Sequence, residues 1–244
     1  LFAILIGIIG AATYMLKSWF LKLRFLLSGG KKVDTGAKKI PLVIFSDDKR
    51  YWSVFRPVCR ELDKKGIDTV YMTASPDDPA LENDFPHIHA QFIEEGNKAF
   101  AKLNFLNASV VLATTPGLDV YQWKRSPGVD CYVHILHAAN EVAGYRMFGI
   151  DYYDTVFVSG DYQIRDLRAL EALRGLPAKE TVKIGIPYMD EMKRRLDAAG
   201  PIAPHKTTVL IAPSWGPSAI FSKYGGKIID KLLAGGYHVI IRPH

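Results

Sequence analysis

Three short stretches carry side chains suited to moving a proton or holding a phosphate. In DCYVHILHA, residues 130–138, His134 and His137 stand three apart in an apolar run that reads as a strand. Side chains alternate along a strand, so the two point to opposite faces and cannot chelate one metal as an HxxH on a helix could. His137 falls at the carboxyl end of the run, where a general base would stand; the alternative is a structural histidine. His134 reads as a core histidine. In YHVIIRPH, residues 237–244, Arg242 and His244 close another strand. A guanidinium and an imidazole there suit a diphosphate leaving group, one by charge and the other by donating a hydrogen bond. A solvated strand terminus is the alternative. The loop Pro213-Ser214-Trp215-Gly216-Pro217-Ser218 joins a strand to a helix. Small residues there let backbone N–H groups approach a phosphate, and a helix start adds a favourable dipole. The loop is neither a Walker A nor a GxGxxG, and on its own it also fits an ordinary βα turn.

Other chemistries are harder to place. The carboxylate pairs Asp47-Asp48 and Asp77-Asp78 do not form a DxD, which leans away from a metal-held sugar nucleotide. Ser214 has no GxSxG elbow, which argues against a hydrolase triad. Cys59 and Cys131 are far apart, without CxxC or metal-ligand spacing, and read as reduced thiols of a cytosolic domain. His87 and His89 flank a proline-rich loop and carry no assigned chemistry.

The elements that must position these residues alternate along the chain. Apolar runs at 41–45, 69–72, 89–93, 110–113, 130–137, 155–159 and 181–185 read as strands. Helical spacing follows at 51–65, 95–105, 162–173 and 188–196. The strands are continuous Val/Ile runs, the mark of a parallel sheet covered on both faces. Ligands of such sheets sit outside the carboxyl ends of the strands. Residues 40–200 are therefore expected to form a doubly wound α/β domain. Residues 201–206, rich in Pro, read as a linker, and 207–244 open a second domain with a strand at 209–212, a helix to Leu233 and a strand at 237–241.

The chain has 244 residues, 48% of them hydrophobic, and a net charge of +6. Residues 17–39 hold seven basic side chains and one acid, so that segment carries the whole excess and the remainder balances. A nucleic-acid binder would cluster its Lys and Arg within the folded part. Here the charge flanks LFAILIGIIGAATYML, sixteen residues without a charge. A cleaved signal peptide would carry its basic residues before such a run, not after it. Residues 1–28 are expected to be a membrane anchor with an interfacial helix, and 29–39 a basic linker. The positive-inside rule puts the rest at the cytoplasmic side of the cell membrane. A hydrophobic docking helix is the alternative.

The stretch TTVLIAPSWG…SKYGGKIIDKLLAGGYHVIIRPH resembles the start of the nucleotide-binding domain of the CDP-glycerol glycerophosphotransferases. These membrane-associated enzymes build teichoic-acid-like polyol phosphate polymers on a GT-B fold of two Rossmann-like domains. The likeness rests on Ala212-Pro213-Ser214 and Arg242-Pro243-His244, and it is only architectural over residues 40–200. It implies transfer of glycerol phosphate from CDP-glycerol, a substrate and not a cofactor, to a lipid-linked acceptor at the membrane surface. It implies His137 as the base, although Ala138 stands where the family commonly has glycine. It implies His244 and Arg242 at the departing CMP, aided by Ser214, Trp215 and Gly216, with the donor-nucleotide pocket beyond His244. A GT-B glycosyltransferase using a sugar nucleotide, or a non-catalytic tethered binding module, would share these elements.

Overall fold

The run IPLVIFS forms β1, Ile40–Ser46, and its burial shows why no polar residue interrupts it: Val43, Ile44 and Phe45 are all sealed from solvent. In the computed structural model, residues 38–201, 206–213 and 216–242 are described, together with Thr13, Met15, Leu16 and Trp19. Six more parallel strands join β1: β2 Thr69–Thr73, β3 Ile88–Phe92, β4 Asn107–Ala113, β5 Gly128–Ile135, β6 Thr155–Val158 and β7 Glu180–Lys183. Their order is β3-β2-β1-β4-β5-β6-β7. The helices between them are α1 Trp52–Lys64, α2 Gly96–Leu103, α3 Asp161–Arg174 and α4 Pro187–Ala199. The expected α/β sheet is present and Rossmann-like.

Alternation along the strands feeds two cores. Val43, Phe45, Val111, Ala113, Tyr132, Val156 and Val158 pack on one side of the sheet. Ile44, Tyr71, Leu112, Val133 and Ile135 pack on the other, against Trp52, Phe55 and Cys59 of α1. Each fully buried large side chain contributes about 1.5–3 kcal/mol relative to exposure. Burial also pushes the Cys59 thiol up to about 12, which makes it unreactive at neutral pH.

Local chemistry sets the loops. Asp78 caps a short 3-10 turn, Pro79–Glu82, by accepting from Ala80 N (2.9 Å) and from the Thr73 hydroxyl (2.6 Å). After β4, Gly117 has φ +94°, and a Cβ there would meet Tyr121 at 2.8 Å, so only glycine fits this turn. Its N–H donates to Gly149 O (2.7 Å), tying the β4 loop to the loop after β5.

The chain divides into two compact units, Leu1–Lys193 and Arg194–His244, with the division inside α4. The second unit holds β8 Thr208–Ile211, α5 Ile220–Tyr224, α6 Lys227–Ala234 and β9 His238–Ile241, and its two strands are parallel. The single helix expected up to Leu233 is instead two. Gly225, in the left-handed region at φ +56°, and Gly226 stop the first and start the second.

Most of the expected anchor, residues 1–28, lies outside the described residues. Among those described, Met15, Leu16 and Trp19 are helical and exposed, and no helix is long and apolar enough to cross a membrane.

Candidate active site

The strand order places a topological switch point between β1 and β4: from β1 the chain winds outward through β2 and β3, then crosses to β4 and continues the other way. In open parallel sheets the carboxyl ends of the strands at such a point are the usual ligand-binding place. The register continues that geometry. Phe45 pairs with Ala113, so two residues on Asp47 stands beside Thr115. Ala113 pairs with His134, so Thr114 stands beside Ile135.

Side chains join across these ends. The Thr115 hydroxyl donates to Asp47 Oδ1 (2.8 Å). The Tyr153 hydroxyl donates to Thr115 O (2.6 Å) and pins that turn from beneath. Thr114 Oγ1 lies 3.1 Å from Ile135 O and 2.6 Å from His137 Nδ1. A hydroxyl has one proton, and a carbonyl oxygen can only accept it. Thr114 therefore donates to Ile135 O and accepts from His137 Nδ1–H. This assigns the Nδ1–H tautomer to the neutral ring and leaves the Nε2 lone pair without a protein partner among the described residues.

Burial lowers the His137 pKa from its usual value, and the nearby Asp47 charge opposes this in part. The ring is thus neutral at pH 7 and able to accept a proton. Burial likewise raises the Asp47 carboxyl, while the Thr115 hydrogen bond pulls it back. Aromatic rings flank His137, with Tyr51 at 5.1 Å and Tyr145 at 6.5 Å between ring centroids. A neutral imidazole, a carboxyl group and two phenol rings at strand ends can take a proton from a bound hydroxyl and hold the group that carries it.

His137 lies two residues beyond the end of β5, not on the strand as expected through residue 137. Leu136 N still donates to Phe157 O (3.0 Å). The carbonyls of Ala138 and Asn140 are then taken by Gln163 Nε2 (3.1 and 2.9 Å), which draws the chain away from the sheet. His134 is a core residue, fully buried against Tyr153 (4.8 Å) and Tyr145 (5.6 Å), with neither ring nitrogen hydrogen-bonded among the described residues. Burial drives its pKa down to about 3. His87 pairs with Asp68 (2.9 Å) at the opposite, amino-terminal end of β3.

In the second unit, Ile211 and Ile241 are register partners, so the loop after β8 and Arg242 leave adjacent strand ends. Arg242 N donates to Ile211 O (2.9 Å), and its exposed side chain makes no ion pair among the described residues. Gly216 has φ +106°, and its carbonyl accepts from Ala219 N (3.0 Å) and Ser222 Oγ (2.9 Å). Ser214, Trp215 and His244 lie outside the described residues.

Sequence reasoning found His137 but missed Asp47, Tyr51, Thr114, Thr115 and Tyr145. In the sequence Asp47 reads only as half of a carboxylate pair with Asp48 that forms no DxD. The two in fact diverge: Asp48 accepts from Arg50 N and Nε (both 2.9 Å), while Asp47 turns to Thr115. Among the described residues no group of three potential ligands could hold a metal. The available signal was position, since Asp47 and the Thr114-Thr115 pair each directly follow a buried strand. No family model matches this sequence, and no curated protein matches it.

Proposed function

We propose that this protein is a transferase that moves a polyol phosphate, most simply glycerol phosphate, from a CDP-linked donor to a hydroxyl of a membrane-associated acceptor. The observation that carries the reading is His137: a neutral imidazole at the switch point, its Nδ1–H held by Thr114 and its Nε2 lone pair open. Such a group is suited to taking a proton from a hydroxyl near neutral pH. The acceptor oxygen forms a bond to the polyol-bearing phosphorus as its proton passes to Nε2. The bond from that phosphorus to the bridging oxygen breaks, and CMP leaves with the electron pair. His137 then returns its proton to water.

The donor contacts come from the family resemblance. Arg242 would offset charge on the departing CMP, with the loop at Gly216. Ser214, Trp215 and His244 join them through the resemblance alone, as does the finer fold, a GT-B pair of Rossmann-like domains with the second begun at residue 207. Residues 1–28 would hold the protein at the cytoplasmic face of the membrane, which raises the effective concentration of a lipid-linked acceptor.

The complete protein, incubated with membranes that carry acceptor, should release CMP from CDP-glycerol. Release of nucleotide from UDP-sugars and none from CDP-polyols would replace this reading with a glycosyltransferase. Turnover of neither would leave a binding module.

A further inference from the structure

We infer that the strand ends of β1, β4 and β5 bind a neutral polyhydroxyl group, a sugar or polyol, through Asp47, and bind the phosphate esters of that group more weakly. The inference rests on the proposed transfer only in calling the bound group the acceptor.

The loop after the first strand of a doubly wound sheet is the usual phosphate cradle, where glycines expose backbone N–H groups at a helix start. Here that loop reads Ser46-Asp47-Asp48-Lys49-Arg50 and has no glycine. Several of its donors are already taken. Arg50 N and the Arg50 guanidinium serve Asp48, Lys49 N donates to Ser75 Oγ (3.0 Å), and the Lys49 ammonium pairs with Asp77. A phosphate ester there would meet the Asp47 carboxylate, while Lys49 and Arg50 of this loop are each paired with a carboxylate.

Asp47 is the complementary half of the argument. It is partly buried and makes no ion pair among the described residues, although the Arg50 charge acts on it as a minor influence. Thr115 supplies one hydrogen bond, to Oδ1, which leaves acceptor capacity on Oδ2. A partly buried carboxylate in that state calls for a donor that brings no negative charge, and a hydroxyl is such a donor. The Tyr51 ring beside His137 offers an apolar wall for the C–H face of a polyol. A diol fits the pair of functions: one hydroxyl donates to Asp47 while its neighbour presents its proton to His137 Nε2.

Saturation-transfer NMR on the complete protein tests this with glycerol, sorbitol and methyl glucoside as neutral probes. Glycerol 3-phosphate and glucose 6-phosphate are the anionic probes, and glucosamine is the cationic one. The neutral probes should bind, and their phosphate esters should bind at least roughly tenfold more weakly. Asp47→Asn, checked for an unchanged thermal melt, should weaken the neutral probes roughly tenfold and narrow the gap to the esters. The wild-type preference needs no variant and stands as a test by itself. Equal binding of esters, a preference for glucosamine, or neutral binding unaffected by Asp47→Asn would overturn the inference. Asp47-dependent polyol binding without transfer from any CDP donor would instead remove the proposed function and leave this site standing.

Discussion

In β1, Val43, Ile44 and Phe45 are each 0% exposed, whereas in β8 and β9 Leu210 is 60%, Ile240 46% and Ile241 44% exposed. The local sequences are alike: all three are short runs rich in Val, Ile or Leu. The difference lies in the neighbours. β1 is flanked by β2 and β4 and covered on both faces by packed side chains, while among the described residues β8 and β9 pair only with each other. An apolar run therefore marks a parallel strand, but how deeply it is buried depends on how many strands and helices surround it. The same contrast separates the candidate groups. His137 is held by Thr114 and walled by Tyr51 and Tyr145, while the Arg242 side chain stands exposed.

The largest expected effect tests that contrast at the site. His137→Ala should lower turnover by ~10²–10⁴, the usual share of a general base, with an unchanged melting temperature. Arg242→Ala should also leave stability unchanged, because its side chain is exposed and unpaired among the described residues. Near-normal turnover in folded His137→Ala protein would take this residue out of the mechanism.

A pair of core substitutions addresses burial directly. Phe45→Ala should cost about 3–5 kcal/mol in urea unfolding, from lost burial and the cavity left behind. Ile240→Ala should cost under ~1 kcal/mol. Equal costs would mean that the second sheet is covered in solution, and the contrast between the units would collapse.

His134 supplies a pH test confined to the first unit. Its folded pKa is down at about 3, while in the unfolded chain it titrates near the usual histidine value of 6.5. Below pH 6.5 the unfolded state takes a proton that the folded state resists, so stability present above 6.5 is lost progressively as pH falls toward 3. The loss from this group is about 2 kcal/mol at pH 5. His134→Leu should flatten that slope and cost little at pH 7, since it removes two ring nitrogens that lack partners. Asp47 and Asp78, raised by burial, act in the opposite sense but equally in both proteins. Identical acid-side slopes would show that His134 is not sealed.

The smallest effect concerns the tautomer. Thr114→Val removes the acceptor for Nδ1–H and should reduce turnover roughly tenfold, with recovery in Thr114→Ser. A loss that Thr114→Ser does not repair would assign Thr114 to packing alone.

Sequence alone marked the strands and helices of residues 40–200, because continuous apolar runs and helical spacing are local properties that glycine and proline punctuate. It also picked out His137, since a histidine closing an apolar run is visible without a partner. It did not show where β5 stops, because that depends on Gln163 capturing the Ala138 and Asn140 carbonyls from 23 or more residues away. Nor did it show that Asp47 would meet Thr115, 68 positions on, or that Thr114 would meet His137, 23 positions on. Those meetings follow from strand order and register, which the chain reaches only when both faces of the sheet are buried together. The side chains that set the protonation state of His137 were thus decided by tertiary packing, for electrostatic and hydrogen-bond effects fall off with distance in space and not with separation along the chain.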